Sequence, residues 1–186
     1  RKPIVFYGSS ITQGACASRP GMAATNRIGR KLNVETINLG FSGNAFIDYE
    51  VAEMMAHVDA SAYVLDYVPN ASPEQILEKT EKFVRILREK HPDVPLIFVE
   101  DPIFPHSKFD LRMAKEIKDK NDAMNQAFSS LKKQGLKKIY LVKGRSLISA
   151  NGESTVDGIH FTDCGFEQYV YAILPILKKA INHKKK

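Results

Sequence analysis

The chain has no tryptophan and only two cysteines in 186 residues. Cys16 and Cys164 are far apart and neither stands in a metal-type spacing. A thiolate zinc site is therefore not expected, and two buried free thiols are the expectation, with a Cys16–Cys164 disulfide as the alternative. No apolar run approaches the roughly 20 residues of a membrane span. Linkers rich in Pro, Gly or Ser are missing, and so are internal repeats. Basic residues are in mild excess, with a formal charge of +6, and Lys184-Lys185-Lys186 at the end hold half of it. Such a tail reads as a solvated helix end, and no basic patch interleaved with aromatics occurs elsewhere. Neither nucleic acid nor a membrane is expected as a partner.

What is present is an ordinary globular composition, 44% hydrophobic and 26% charged, in a length that suits one domain with a sizeable core. Five short apolar runs read as strands: Ile4-Val5-Phe6-Tyr7, Val34 to Leu39, Ala62 to Asp66, Pro95 to Val99, and Lys138 to Val142. Helical patterns alternate with them, over Ala23 to Lys31, Ile47 to His57, Ser72 to Lys90, Leu111 to Gln134 and Cys164 to Asn182. Ser72-Pro73-Glu74-Gln75 reads as a helix start with a capping box, His91-Pro92 as its stop, and Thr162 or Asp163 as the cap of the last helix. Met54 and Met55 read as core filler, the helix after Asp110 as charged on its outer face, and Pro175 as a kink or interruption. Strands alternating with helices imply a parallel sheet covered on both faces in a three-layer α/β domain.

In such a sheet the loops at the carboxyl ends of the strands share one rim. The first brings Ser9, Ser10 and Thr12 between Gly8 and Gly14. The second brings Ser42, Gly43 and Asn44, the third Asn70, and the stretch before the last helix Asp157-Gly158-Ile159-His160. Serine, histidine and a carboxylate are the parts of an acyl-transfer site. The imidazole takes the hydroxyl proton, the carboxylate orients the ring, and amide donors hold the oxyanion. Each residue also has a plain structural use. Ser9 and Ser10 can cap a helix, Asp157-Gly158 can simply turn the chain, Asn70 can close an Asx turn, and Asp66 can be buried and paired. Glu100 and Asp101 with His106 lack the rigid spacing of a metal site. His57, His91, His106 and His183 read as surface residues.

Ser10 after the first strand, Gly43 after the second, Asn70 after the third, and Asp157 with His160 before the last helix together resemble the SGNH (GDSL-like) hydrolases over nearly the whole chain. The resemblance implies a flavodoxin-like three-layer α/β/α sandwich around a five-stranded parallel sheet. It also implies a serine esterase without metal or organic cofactor. Ser10 is then the nucleophile, His160 the base and Asp157 its orienter; the Ser10 amide, Gly43 and Asn70 supply the oxyanion donors. Three positions depart from the family pattern. Gly-Asp-Ser is Gly8-Ser9-Ser10, Gly-x-Asn-Asp is Val68-Pro69-Asn70-Ala71, and the proline after the histidine is Phe161. The expected substrate is a short acyl, such as acetyl, ester of a polar or carbohydrate alcohol, met by Arg19, Phe41 and Tyr67, with Phe104 also near the entrance. Residues 6–21 resemble a bacterial subgroup whose catalytic domain sits beside a β-rich domain. With the abrupt entry into the first strand, this points to a single catalytic domain, 1–186, excised from a longer periplasmic or secreted polypeptide. The alternatives are a flavodoxin-like flavin carrier, since Phe6-Tyr7-Gly8-Ser9-Ser10 also resembles a phosphate loop, and a catalytically silent glycan-binding domain.

Overall fold

The computed structural model describes residues 2–182, so His183 and the Lys184-Lys185-Lys186 tail lie outside the described residues. Five strands, β1 (Ile4–Gly8), β2 (Thr36–Gly40), β3 (Ala62–Asp66), β4 (Leu96–Val99) and β5 (Ile139–Val142), form one parallel sheet in the order β2-β1-β3-β4-β5. Side chains alternate across a strand, and that alternation sorts the sheet into two cores. Val5, Tyr7, Tyr63, Leu65, Leu96 and Phe98 face one, while Ile4, Phe6, Ala62, Val64, Ile97 and Val99 face the other. Helices α3 (Tyr49–Met55), α4 (Pro73–Lys90) and α5 (Leu111–Lys133) cover the first face through Met55, Phe83 and Met124. On the second face lie α2 (Ala24–Leu32) and α6 (Asp163–Asn182), through Ile28, Phe166, Val170 and Ile173. This is the expected three-layer sandwich with flavodoxin-like strand order. Its switch point lies beside β1, where the chain leaves for β2 on one side and β3 on the other.

The local signals operate as chemistry predicts. Ser72 Oγ accepts the Gln75 N–H at 3.2 Å and Gln75 Oε1 accepts the Ser72 N–H at 2.9 Å, closing the capping box of α4. Of the two candidate caps for α6, Thr162 serves, its Oγ1 accepting the Gly165 N–H at 3.1 Å. Pro175 lies inside α6, which runs on without interruption.

Packing corrects several readings. Met55 is buried but its neighbour Met54 is 72% exposed, because only one of two successive helical positions can face the sheet. Cys16 and Cys164 are both exposed and unpaired rather than buried. Tyr67 is fully buried with its hydroxyl 3.0 Å from Thr80 Oγ1, and Phe104 packs into the second core. Neither ring stands at an entrance. Lys120 and Asn121 of α5 are buried although that stretch reads as an outer face. Among the described residues no helix is long and apolar enough to cross a membrane.

Candidate active site

The site begins where β1 ends. Ser9 caps the four-residue helix α1 (Ser10–Gln13), its Oγ accepting the Ile11 N–H at 3.2 Å, so Ser9 takes the capping use and Ser10 is left free of it. Gly14, at φ 98°, ends α1 and returns its N–H to the Ser10 and Ile11 carbonyls. Gly8 must be glycine here. A Cβ on it would lie 2.5 Å from the Asp66 carbonyl oxygen and closer still to Thr12 Oγ1.

Behind the helix lies a buried polar knot. Asp66 Oδ2 accepts the Thr12 hydroxyl at 2.8 Å and the Tyr169 hydroxyl at 2.6 Å, and the Asp66 carbonyl accepts the Ser9 N–H at 3.3 Å. These bonds tie α1 to β3 and α6. Burial pushes the Asp66 carboxyl up to about 7 even though the two hydroxyls favour its charged form. Asp66 is thus buried and paired, as its strand-end position suggests. Tyr169 is a residue of this knot that sequence reading misses. Its place three residues after Phe166 on the inward stripe of α6 is the signal, because a buried tyrosine hydroxyl needs a buried partner.

The candidate base comes from the other end of the chain. His160 Nε2 is 3.0 Å from Ser10 Oγ, and its Nδ1 is 2.6 Å from Asp157 Oδ2. Asp157 Oδ1 accepts the Ile159 N–H at 2.9 Å and the His160 N–H at 2.7 Å. Hydrogen bonds from the His160 ring first, then from the two amides, hold the Asp157 carboxyl far below its ordinary range. The turn is closed by the Val156 N–H to His160 carbonyl bond at 2.8 Å and by a bridge between Thr155 and Phe161. Phe161, where proline is usual, is buried edge-on against Phe166, with ring centroids 5.4 Å apart, and so anchors the turn in the second core. His106, which reads as a surface residue, packs on the turn instead. Its Cε1 would be 3.0 Å from a Cβ at Gly158.

The two remaining candidate oxyanion donors follow the strands that flank β1. Gly43, at φ 68°, follows β2, and Asn70 follows β3. The Ala45 N–H donates to Asn70 Oδ1 at 3.3 Å, which ties the second loop to the third and assigns the oxygen end of that amide. The Ser10 N–H, the Gly43 N–H and Asn70 Nδ2 have no partner among the described residues. Phe41 is exposed, stacked edge-on against Tyr7, and Arg19 is exposed with one nitrogen 3.2 Å from Ser18 Oγ. Among the described residues no cluster of His, Cys, Asp and Glu could hold a metal ion.

The profile of the GDSL-like Lipase/Acylhydrolase family matches residues 1–178. A protein called a GDSL-like lipase, from Bacteroides ovatus, superposes with a TM-score of 0.91 at 42% identity, over 96% of this chain and 54% of its own. A salicylyl-acyltransferase from a tetracycline biosynthetic pathway superposes at 0.83 with 16% identity, over 96% of this chain and 55% of its own. A carbohydrate acetylesterase family member from Sinorhizobium meliloti superposes at 0.72 with 14% identity, over 98% of this chain and 100% of its own. The chain thus spans about half the length of the first two. No curated protein matches it. With a profile match over nearly its whole length and a 42% identical structural relative, the chain belongs to the GDSL-like lipase/acylhydrolase family.

Proposed function

We propose that the chain is a serine-dependent ester hydrolase that removes short acyl groups, acetyl foremost, from a polar or carbohydrate alcohol through an acyl-enzyme. The observation that carries this reading is the unbroken relay from Ser10 Oγ to His160 Nε2 at 3.0 Å and from His160 Nδ1 to Asp157 at 2.6 Å. Ser10 Oγ attacks the ester carbonyl while His160 Nε2 takes its proton. Asp157, ionised, accepts the Nδ1–H and stabilises the imidazolium. The oxyanion meets the free Ser10, Gly43 and Asn70 donors. When the tetrahedral species collapses, the C–O bond to the alcohol breaks and His160 returns the proton to the leaving oxygen. Water then attacks the acyl-serine with His160 again as base, releasing the acid and restoring Ser10.

The flavin-carrier reading leaves this relay without a purpose, and the family match speaks for hydrolysis. The carbohydrate direction draws on the fold neighbour called a carbohydrate acetylesterase family member. In this reading Arg19 and Phe41 meet the alcohol portion, whereas Tyr67 is too deeply buried to do so. A role as the catalytic domain of a longer polypeptide with a β-rich neighbour is part of the same proposal.

The test is hydrolysis of p-nitrophenyl acetate by the protein and by Ser10→Ala side by side, followed by acyl-length and acetylated-glycan panels. Turnover that disappears in the variant, fastest for acetyl and present on acetylated glycans, is expected. Turnover unchanged in Ser10→Ala would overturn the nucleophile, and a protein inactive on every ester would favour the silent binding domain.

A further inference from the structure

The third loop is where this chain departs most from its family, since of Gly-x-Asn-Asp only Asn70 remains. Something else must aim the Asn70 amide. The Asn70 and Ala71 N–H groups turn back to the Tyr67 carbonyl at 3.0 and 3.1 Å. Pro69, between them and the strand, has no N–H, so its carbonyl is the only backbone handle it offers. That carbonyl accepts a hydrogen bond at 3.1 Å from Lys120 Nζ, in the middle of α5 and 51 residues away in sequence.

Lys120 is an unusual lysine. Its side chain is only 10% exposed, and its ammonium also pairs with Glu116 Oε1 at 2.5 Å. Burying a cation is costly unless it is paired and hydrogen-bonded. Part of the compensation comes from Asp101, itself buried, whose Oδ1 has no hydrogen-bond partner among the described residues. Burial pushes that carboxyl up to about 7, and the charge of Lys120 is what pulls it back down. A cation held at this cost makes its neutral contact with the one carbonyl that leads into Asn70.

We propose that Lys120 is a positioning residue for the oxyanion donor Asn70. By holding the Pro69 carbonyl from α5 it fixes the peptide that leads into Asn70, and the Ala45 N–H to Asn70 Oδ1 bond then fixes the amide itself. Two elements, α5 and the second loop, thereby replace the residues that this loop lacks. The inference rests on the esterase reading above. Its physical basis is that an oxyanion donor acts only when held in advance at the place where charge develops.

The test is a double-mutant cycle on p-nitrophenyl acetate, with thermal unfolding measured on every variant. Lys120→Met keeps the length of the stem and removes the donor. It is expected to lower kcat about tenfold, a fraction of the loss typical for deleting an oxyanion donor, with KM within about twofold of the parent. Lys120→Arg, which keeps a donor, recovers most of that loss. In an Asn70→Ala background Lys120→Met costs less than about twofold, because the group it positions is gone. An unchanged kcat in Lys120→Met, or the same loss in both backgrounds, would overturn the proposal while leaving Asn70 as a donor. An Asn70→Ala variant as fast as the parent would overturn the oxyanion role itself, and this proposal with it.

Discussion

The two halves of the relay are held in opposite ways. Ser10 is 7% exposed and rides on a short helix clamped from behind by Thr12, Asp66 and Tyr169, residues drawn from α1, β3 and α6. Asp157 and His160 stand on a turn with side chains 50% and 29% exposed, three residues apart, shaped largely by bonds within the turn. The proposed nucleophile is thus positioned by the whole fold, and the proposed base by a local motif against which Phe161 and His106 pack. A change near Ser10 should disturb folding and chemistry together, whereas a change in the turn should disturb chemistry alone.

The largest expected effect is in the turn. Asp157→Asn keeps most of the shape but presents an amide to His160 Nδ1, favouring the wrong tautomer. The rate should fall by about a hundred- to ten-thousandfold with thermal stability nearly unchanged. Stopped kinetics paired with calorimetry would check this, and a matching drop in unfolding temperature would break the contrast between the two regions. Next comes Gly8→Ala behind the nucleophile. The added methyl meets backbone at Asp66, which cannot yield as a side-chain tip can, so a loss of about 1–3 kcal/mol in stability is expected along with activity. Urea titration at fixed pH reads it, and a fully stable variant would mean that the clamp is loose.

The smallest effect sharpens the comparison through pH. Asp66 sits at about 7 when folded and at an ordinary carboxyl value, 3.8, when unfolded. Between those values the folded form keeps a proton that the unfolded chain has released. Stability contributed by this group is therefore fully present below pH 3.8, falls as pH rises through the window, and is gone above about 7. Relative to Asp66→Asn, which has no such group, the parent should lose stability as pH rises from about 4 to 7. Parallel stability curves for the two proteins would contradict a buried, raised carboxyl. Asp157 has the opposite sign: its depressed carboxyl contributes stability above its ordinary value that is lost as pH falls into strong acid, and because the side chain is half exposed, solvent screening keeps that contribution small.

The fold was legible because it is written in short range. Alternating strands, the Ser72 capping box and polar loops at strand ends are patterns within a dozen residues, and parallel α/β geometry does the rest. The contact of His160 with Ser10 and Asp157 was legible too, from loop order along the chain read together with the family resemblance. What sequence reading missed depends on distant pairs. Tyr67 follows a strand and reads as loop, yet the chain stays buried to Val68 and its hydroxyl finds Thr80. Lys120 reads as one more solvated lysine because its partner carbonyl at Pro69 belongs to another layer. His106 reads as surface because nothing local reveals that Gly158 will lie under its ring. The exposed Cys16 and Cys164 fail for a related reason, since residue type predicts burial only on average.

The central claim is a covalent acyl-enzyme on Ser10, and acid-quenching the protein during turnover of p-nitrophenyl acetate tests it most directly. Mass spectrometry of the digested protein should find a single acetyl group on the peptide that carries Ser10, accumulating in an initial burst and missing from Ser10→Ala. Turnover with no acetylated serine, or with the acetyl group on another residue, would contradict the account.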